Sequence, residues 1–372
     1  MSYIYDAIVV GGGVIGGSIA YNLAKRGGKV LLLEKGRLAS QSSGAAAGML
    51  GAQAEMDTES SLFQLAKKSR EMFPKLAGEI KEMSGVDIEL INKGMLKVAL
   101  NEQQRQQYEH LIAIHRKSGE QADWMTGHEV RSKEPSLSDG IKWAMYLAND
   151  GQVEASQLTL GFLHSAKGYG VVIKEFVEVF DFQVSNGKVI GVVTNEGNFA
   201  SDKVIVAGGA WSNKLLLKTG LELDIYPVKG ECFSVITQST LLTTTVFSPD
   251  CYLVPKKGGR IIVGATVKQR TFNPKVTVEG ISFLMQQATK LLPSIIEAEW
   301  EGAWAGIRPQ TGDGLPYLGE HPVFKGLFVA TGHFRNGILL SPITGEVIAD
   351  MVEGKPASIN LKHFRLDRLI KQ

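Results

Sequence analysis

Cysteine is scarce in this chain. Only Cys232 and Cys251 stand among its 372 residues. Two are too few for a disulfide framework, and they lack the spacing of metal ligands. Charge of one sign is equally scarce: 40 basic against 38 acidic side chains leave a net charge of +2. No basic tract interleaved with aromatics points to a nucleic-acid partner. Long apolar runs are missing too, since Gly, Lys or Glu interrupts each one well short of a membrane span. The first strand-like run begins a few residues after Met1, so the expectation is no signal peptide, no membrane and a cytoplasmic location. A hydrophobic fraction of 44% at this length can bury a large core and supports two domains.

What is present is concentrated at the start. Tyr5 to Val10 reads as a short buried strand and runs into Gly11-Gly12-Gly13-Val14-Ile15-Gly16. An amphipathic helix is expected from about Val14 to Arg26, and Glu34 closes the next apolar run, Val30 to Leu33. Strand, glycines, helix and acid together form a dinucleotide-binding opening. Gly11 permits the sharp turn. Gly13 keeps side chains off a pyrophosphate, and Gly16 lets the helix approach the sheet. The helix start offers free N–H groups and the positive end of its dipole to phosphates. A carboxylate at Glu34 suits an adenosine ribose and repels a 2'-phosphate, which favours FAD or NAD over NADP.

Downstream, the stretch from Lys35 to Leu50 is small, polar and glycine-punctuated, as a segment passing close to a bulky ligand would be. Helical spacing covers 60–84, 101–118, 155–168 and 277–292. Strand-like patterns appear around Ile88-Glu89-Leu90, at 94–100, at 140–147 and in the run from 171 to 206, with Asn186-Gly187 as a hairpin turn. Alternation resumes from 225 to 267, which reads as a mostly antiparallel substrate domain. Near the end, Leu327 to Thr331 forms a strand that delivers Gly332 and His333, and a helix follows from about Ser341 to Met351. The first and last fifty residues therefore build one nucleotide domain. The expected division assigns 1–82, 150–218 and 300–372 to cofactor binding, and 83–149 with 219–299 to the substrate.

Four further motifs carry a resemblance: Ser42-Ser43-Gly44-Ala45-Ala46-Ala47-Gly48-Met49-Leu50, Pro227-Val228-Lys229-Gly230-Glu231, Gly306-Ile307-Arg308-Pro309 and Gly332-His333-Phe334-Arg335-Asn336-Gly337-Ile338. With them, over essentially its whole length, the chain resembles the FAD-dependent D-amino acid oxidase and sarcosine oxidase family. Within that family it is most similar to the glycine-oxidising branch that serves thiamine biosynthesis. The resemblance implies a mixed α/β fold: a glutathione-reductase-like FAD-binding domain with an interleaved, mostly antiparallel substrate domain. It implies oxidative deamination of glycine, sarcosine or small D-amino acids by hydride transfer to flavin N5, giving a 2-oxo acid, ammonia or an amine, and hydrogen peroxide. It also implies a homo-oligomer, a homotetramer in the family.

Residue by residue, the resemblance places Gly11, Gly13, Val14, Ile15 and Gly16 at the FAD pyrophosphate, and Glu34 and Lys35 at the adenosine. Ser42, Ser43, Ala47, Gly48 and Met49 would line the ribityl and isoalloxazine side, and Val177 would set its backbone against the adenine. Gly332, His333, Phe334, Arg335, Asn336, Gly337, Ile338 and Leu339 would wrap the pyrimidine end. Arg308 would bind the substrate carboxylate, helped by Tyr252 and Arg335; its planar fork matches a carboxylate at two points. Asp250 could attract the substrate ammonium. Asp250 and Val267 depart from the best-known pattern, since a close relative has a histidine and a methionine there. No cysteine follows Cys251, so FAD is expected to be non-covalent. No general base is expected, because the neutral amine's lone pair drives hydride loss. Two alternatives stand beside this reading: a dehydrogenase of the same fold that passes electrons to a carrier, and a flavoprotein acting on a macromolecular partner.

Overall fold

The strand Ala7–Val10 lies at the heart of a parallel sheet in the computed structural model, which describes residues 5–56 and 60–369. Every residue of this strand is apolar, as burial on both faces of a parallel sheet requires. Six strands follow the order Tyr317–Glu320, Leu327–Thr331, Val204–Val206, Ala7–Val10, Val30–Leu33, Val172–Lys174. All neighbours are parallel except the edge strand Tyr317–Glu320. The two ends of the chain thus share one sheet.

Helix Val14–Lys25 follows the first strand and packs against Gly337–Val352 and Ala155–Gly168. Small residues make these contacts close. A Cβ on Gly345 would stand 2.2 Å from Ser18 Oγ, and Ser18 donates to the Ser341 carbonyl at 2.8 Å. Helix Gly337–Val352 starts four residues before the expected Ser341 and contains Pro342. Pro342 has no N–H to give Ile338, and the Ser341 hydroxyl donates to that carbonyl at 2.9 Å instead.

A second, nine-stranded sheet is built mainly from Ile225–Ile236, Tyr252–Pro255, Arg260–Gly264, Met95–Ala99, Trp143–Leu147 and Glu299–Thr311. Its alternation is strict where it matters. Phe233, Leu253 and Val263 pack with Leu284 and Leu291 of helix Val278–Leu291, while Tyr252, Val254 and Ile262 pack with Ala47 on the other face. The strand Glu299–Thr311 pairs with Ile225–Ile236 along its whole length. The division expected from the sequence assigns this strand, from residue 300 on, to the nucleotide half. It belongs to this sheet, because the ladder to Ile225–Ile236 is its partner and the parallel sheet is not. A small antiparallel sheet, Val179–Ser185, Lys188–Thr194 and Gly197–Ala200, turns at Asn186-Gly187, where both residues have positive φ.

Ile88 to Leu90 is not a strand. Glu89 sits at φ 53°, which breaks the extended run, and Ile91 makes a single bridge to Gln152. The strand Asp123–Thr126 and the helix Gly127–Lys133 were not anticipated, although Thr126 and Glu129 form the helix's capping box. Among the described residues no helix is long and apolar enough to cross a membrane, and no cluster of His, Cys, Asp or Glu has the geometry of a metal site.

Candidate active site

A cavity of about 560 Å³ runs from the glycine turn of the parallel sheet to the face of the second sheet. At one end Gly11 turns at φ 118°, and a Cβ there would lie 2.5 Å from the Ala207 carbonyl oxygen. A Cβ on Gly16 would lie 1.9 Å from the Gly11 carbonyl oxygen, so this glycine sets how closely the helix meets the turn. Gly13 caps the helix without a side chain and opens onto the cavity, with only Ser43 Oγ near where its Cβ would be, at 3.1 Å. Val14 N–H, the first of the helix, donates to Ser43 Oγ at 2.9 Å.

Glu34 accepts from Gly12 N–H at 2.7 Å and Gly36 N–H at 2.9 Å. These bonds do not exhaust a carboxylate, and Glu34 lines the cavity. Lys35 lies over the Trp211 ring with Nζ 4.2 Å from its centroid, and burial lowers its pKa. Buried Val177 also lines this end, with its N–H given to the Glu34 carbonyl at 2.9 Å.

The middle of the cavity is walled by the short, small-residue segment. Ser42 Oγ donates to the Ile307 carbonyl, and Trp304 Nε1–H donates to the Ala45 carbonyl at 2.9 Å. Gly48 turns at φ 83° with no space for a Cβ, which would stand 1.9 Å from the Val153 carbonyl oxygen. Ala47 and Met49 continue the wall. The glycine cradle, the open helix start and this side-chain-poor wall fit an extended dinucleotide such as FAD.

On the opposite side Ile15, His333, Phe334, Arg335, Gly337 and Ile338 line the cavity. Burial pushes the His333 imidazole down to about 3, and its Nε2 pairs with Thr344 Oγ1 at 3.1 Å. His333 is thus neutral, with one ring N–H for hydrogen bonding and no imidazolium to act as an acid. Gly16, Gly332, Asn336 and Leu339 do not line the cavity. Leu339 faces the core, where its carbonyl receives the Ser69 hydroxyl at 2.7 Å.

The substrate-side residues converge on the second sheet. Arg308 is half-buried, and its Nη1 donates to the Thr266 carbonyl at 3.3 Å. Gly230 faces Gly306 in the register, and the guanidinium of Arg308 lies across Gly230. Tyr252 lies on the strand Tyr252–Pro255, separated from Ile225–Ile236 by Arg260–Gly264, and burial raises its pKa well above the ordinary value, which keeps it a neutral donor. Asp250 and Val267 are exposed at the rim.

Sequence reading missed Glu55. It ends the short helix Ala52–Glu55, lines the cavity, and forms an ion pair with Arg335 Nε; Arg335 Nη2 also donates to the Glu55 carbonyl at 3.3 Å. Burial raises the pKa of Glu55, and the Arg335 and Arg308 cations oppose that rise. The signal was faint, since an acid in a helical turn reads as surface. Its helix is held by Asp150, a fully buried carboxylate that accepts from Gln53 N–H, Ala54 N–H and Arg70 Nη1.

The family model for the FAD dependent oxidoreductases matches residues 6–351. The chain belongs to that family. It is 46% identical to the glycine oxidase of Geobacillus kaustophilus, across 100% of this chain and 98% of that one. The crystal structure of that glycine oxidase superposes with a TM-score of 0.97, covering 100% of both chains. A Bacillus cereus glycine oxidase structure is 44% identical with a TM-score of 0.92, covering 99% and 100%. The bifunctional protein ThiO/ThiG of Synechocystis is 31% identical over 98% of this chain and 54% of its own length. The expected mixed α/β architecture and the FAD cofactor hold for this chain.

Proposed function

We propose that this protein oxidises glycine and other small amines, such as sarcosine and small D-amino acids, to a 2-oxo acid, ammonia or an amine, and hydrogen peroxide. The observation that carries this reading is one continuous cavity that joins the glycine cradle to an arginine fork lying over Gly230 on the second sheet. FAD, when bound, supplies a hydride acceptor, and its reoxidation by dioxygen yields the peroxide.

The chain's own residues orient the substrate. Arg308 takes the carboxylate through two parallel N–H bonds, and Tyr252 adds a neutral O–H donor. Fixing the carboxylate at those points fixes the α-carbon, where small misplacement is costly in rate. Arg335 is held by Glu55, so the carboxylate load falls on Arg308. The amine must be neutral as its lone pair forms the imine bond, and no side chain has to remove a proton from carbon. His333, buried and neutral, fits that scheme as architecture.

The cofactor side follows from the same cavity. Gly13 and Val14 would hold the pyrophosphate, and Glu34 would take the ribose; all three line the cavity. We further propose a two-unit division as expected from the sequence, with residues 299–311 moved to the substrate unit, and non-covalent FAD. A place in thiamine biosynthesis rests on the likeness to the ThiO/ThiG protein. A homotetramer is part of the same proposal, and light scattering of the purified protein decides it.

The test is anaerobic flavin bleaching against glycine, sarcosine, D-alanine, D-proline and L-alanine, followed by oxygen uptake with peroxide measured. Bleaching by glycine and the D-forms with one peroxide per substrate is expected. Bleaching by L-alanine alone overturns the substrate class. Reduction without oxygen uptake makes the protein a dehydrogenase.

A further inference from the structure

The cavity face of the second sheet has a second bare position, Gly264. The register pairs Cys232 with Gly264, and Gly264 with Tyr252, in a row across three adjacent strands. Side chains in such a row stand on the same face. A Cβ on Gly264 would lie 2.5 Å from Tyr252 Oη and 2.7 Å from Cys232 Sγ. The tyrosine and the cysteine have closed over the glycine and meet there, with Cys232 Sγ and Tyr252 Oη 3.5 Å apart. Both line the cavity that Arg308 also lines, and Cys232 is 3% exposed.

Hydrogen counting decides how this pair works. A phenol has one hydrogen to donate, and so does a thiol; a carboxylate ligand only accepts. If Tyr252 gave its hydrogen to the sulfur, none would be left for the carboxylate. With the ligand in place, one arrangement uses every group: the thiol donates to Tyr252 Oη, and Tyr252 donates to the carboxylate. Burial supports it, because it keeps both the Cys232 thiol and the Tyr252 hydroxyl protonated.

We propose that Cys232 is a positioning residue for substrate binding, its thiol turning the Tyr252 hydroxyl toward the substrate carboxylate held by Arg308. The proposal rests on the reading of the site given above. It assigns a task to a buried thiol that packing alone would leave idle. It also explains why Gly264 is bare: any side chain there would separate the two groups.

The experiment compares the holoenzyme with Cys232→Ala, Cys232→Ser, Tyr252→Phe and the double variant Cys232→Ala/Tyr252→Phe. KM and kcat for glycine are measured, together with the Kd of acetate from its perturbation of the flavin spectrum. Acetate offers the carboxylate without an oxidisable amine. Cys232→Ala is expected to raise KM and the acetate Kd by about three- to tenfold, with the effect falling mainly on KM. Cys232→Ser keeps a donor and is expected to lie closer to the parent. In the Tyr252→Phe background, removing the thiol is expected to change the acetate Kd by less than about twofold. A cost that is equal in both backgrounds means the sulfur is filler, and the proposal falls. An unchanged acetate Kd in Cys232→Ala overturns it as well. Should Cys232→Ala not fold, Cys232→Thr against Cys232→Val asks the same question at matched shape. Arg308→Leu separates the two readings. If it leaves acetate binding intact, the site itself has been misread; if it abolishes binding while Cys232→Ala does not alter it, only the role of Cys232 fails.

Discussion

The guanidinium of Arg308 occupies the space a side chain on Gly230 would need: a Cβ there would stand 2.2 Å from Nη2 and 2.3 Å from Cζ. Neither group is close in sequence to the other; the antiparallel ladder brings them together, with Arg308 opposite Val228 and leaning over the next position on that face.

Gly230→Ala therefore displaces the arginine while leaving the glycine cradle alone. KM for glycine is expected to rise by about tenfold or more, with flavin content retained. Steady-state kinetics and the flavin absorbance of the purified variant check this. An unchanged KM means the arginine is not held at this place when substrate binds.

Glu55→Gln removes the counter-charge of Arg335 within the cavity. The freed guanidinium then favours substrates with a second acid group. The ratio of kcat/KM for D-aspartate over glycine is expected to rise by about tenfold, the order of one close charge pair. A ratio that stays put assigns Arg335 to loop order alone.

Acid sensitivity should trace in part to His333. Its folded pKa is lowered to about 3 by burial, below the ordinary value near 6.5. In that window the unfolded chain binds a proton that the folded one does not. Stability contributed by the neutral imidazole is present above pH 6.5 and is lost as pH falls toward 3, at up to about 1.4 kcal/mol per pH unit. Urea denaturation at pH 7.5 and pH 5.0 is expected to show a smaller loss in His333→Gln than in the parent. Equal losses would assign the acid sensitivity elsewhere.

The pair Arg70 and Asp150 is buried and also caps the helix that bears Glu55. Asp150→Asn turns an acceptor oxygen into an amide facing donors. A loss of about 3–5 kcal/mol is expected, as for a broken buried ion pair. Chemical denaturation measures it, and hydrogen exchange should rise at Gln53 and Ala54. A loss under about 1 kcal/mol would show that water replaces the carboxylate there.

The nucleotide half was legible because its residues answer to local rules. Gly11, Gly16 and the Val30–Leu33 run are dictated by a turn, a close helix and a doubly covered sheet. Helix Ser61–Ser84 followed from spacing alone, with Ser60 capping Phe63 N–H. The substrate half was harder to read. Arg308 and Tyr252 were singled out, yet their placement depends on ladder register, and a period-2 pattern does not say which strand lies beside which. Glu55 escaped for the same reason: its partner Arg335 is 280 positions away in the chain. The partner of the long strand Glu299–Thr311 was not legible either, because the strand leads back toward the nucleotide half while pairing with the other sheet.

The sheet that holds the cradle has Leu327–Thr331 inserted beside Val204–Val206, two places from Ala7–Val10. In chain order the cradle turn precedes both of these strands, and the strand Leu327–Thr331 follows it by most of the sequence. A chain that stops short of Leu327 lacks this strand and the cavity wall that follows it at His333 to Ile338, so such a truncation should come off the column colourless.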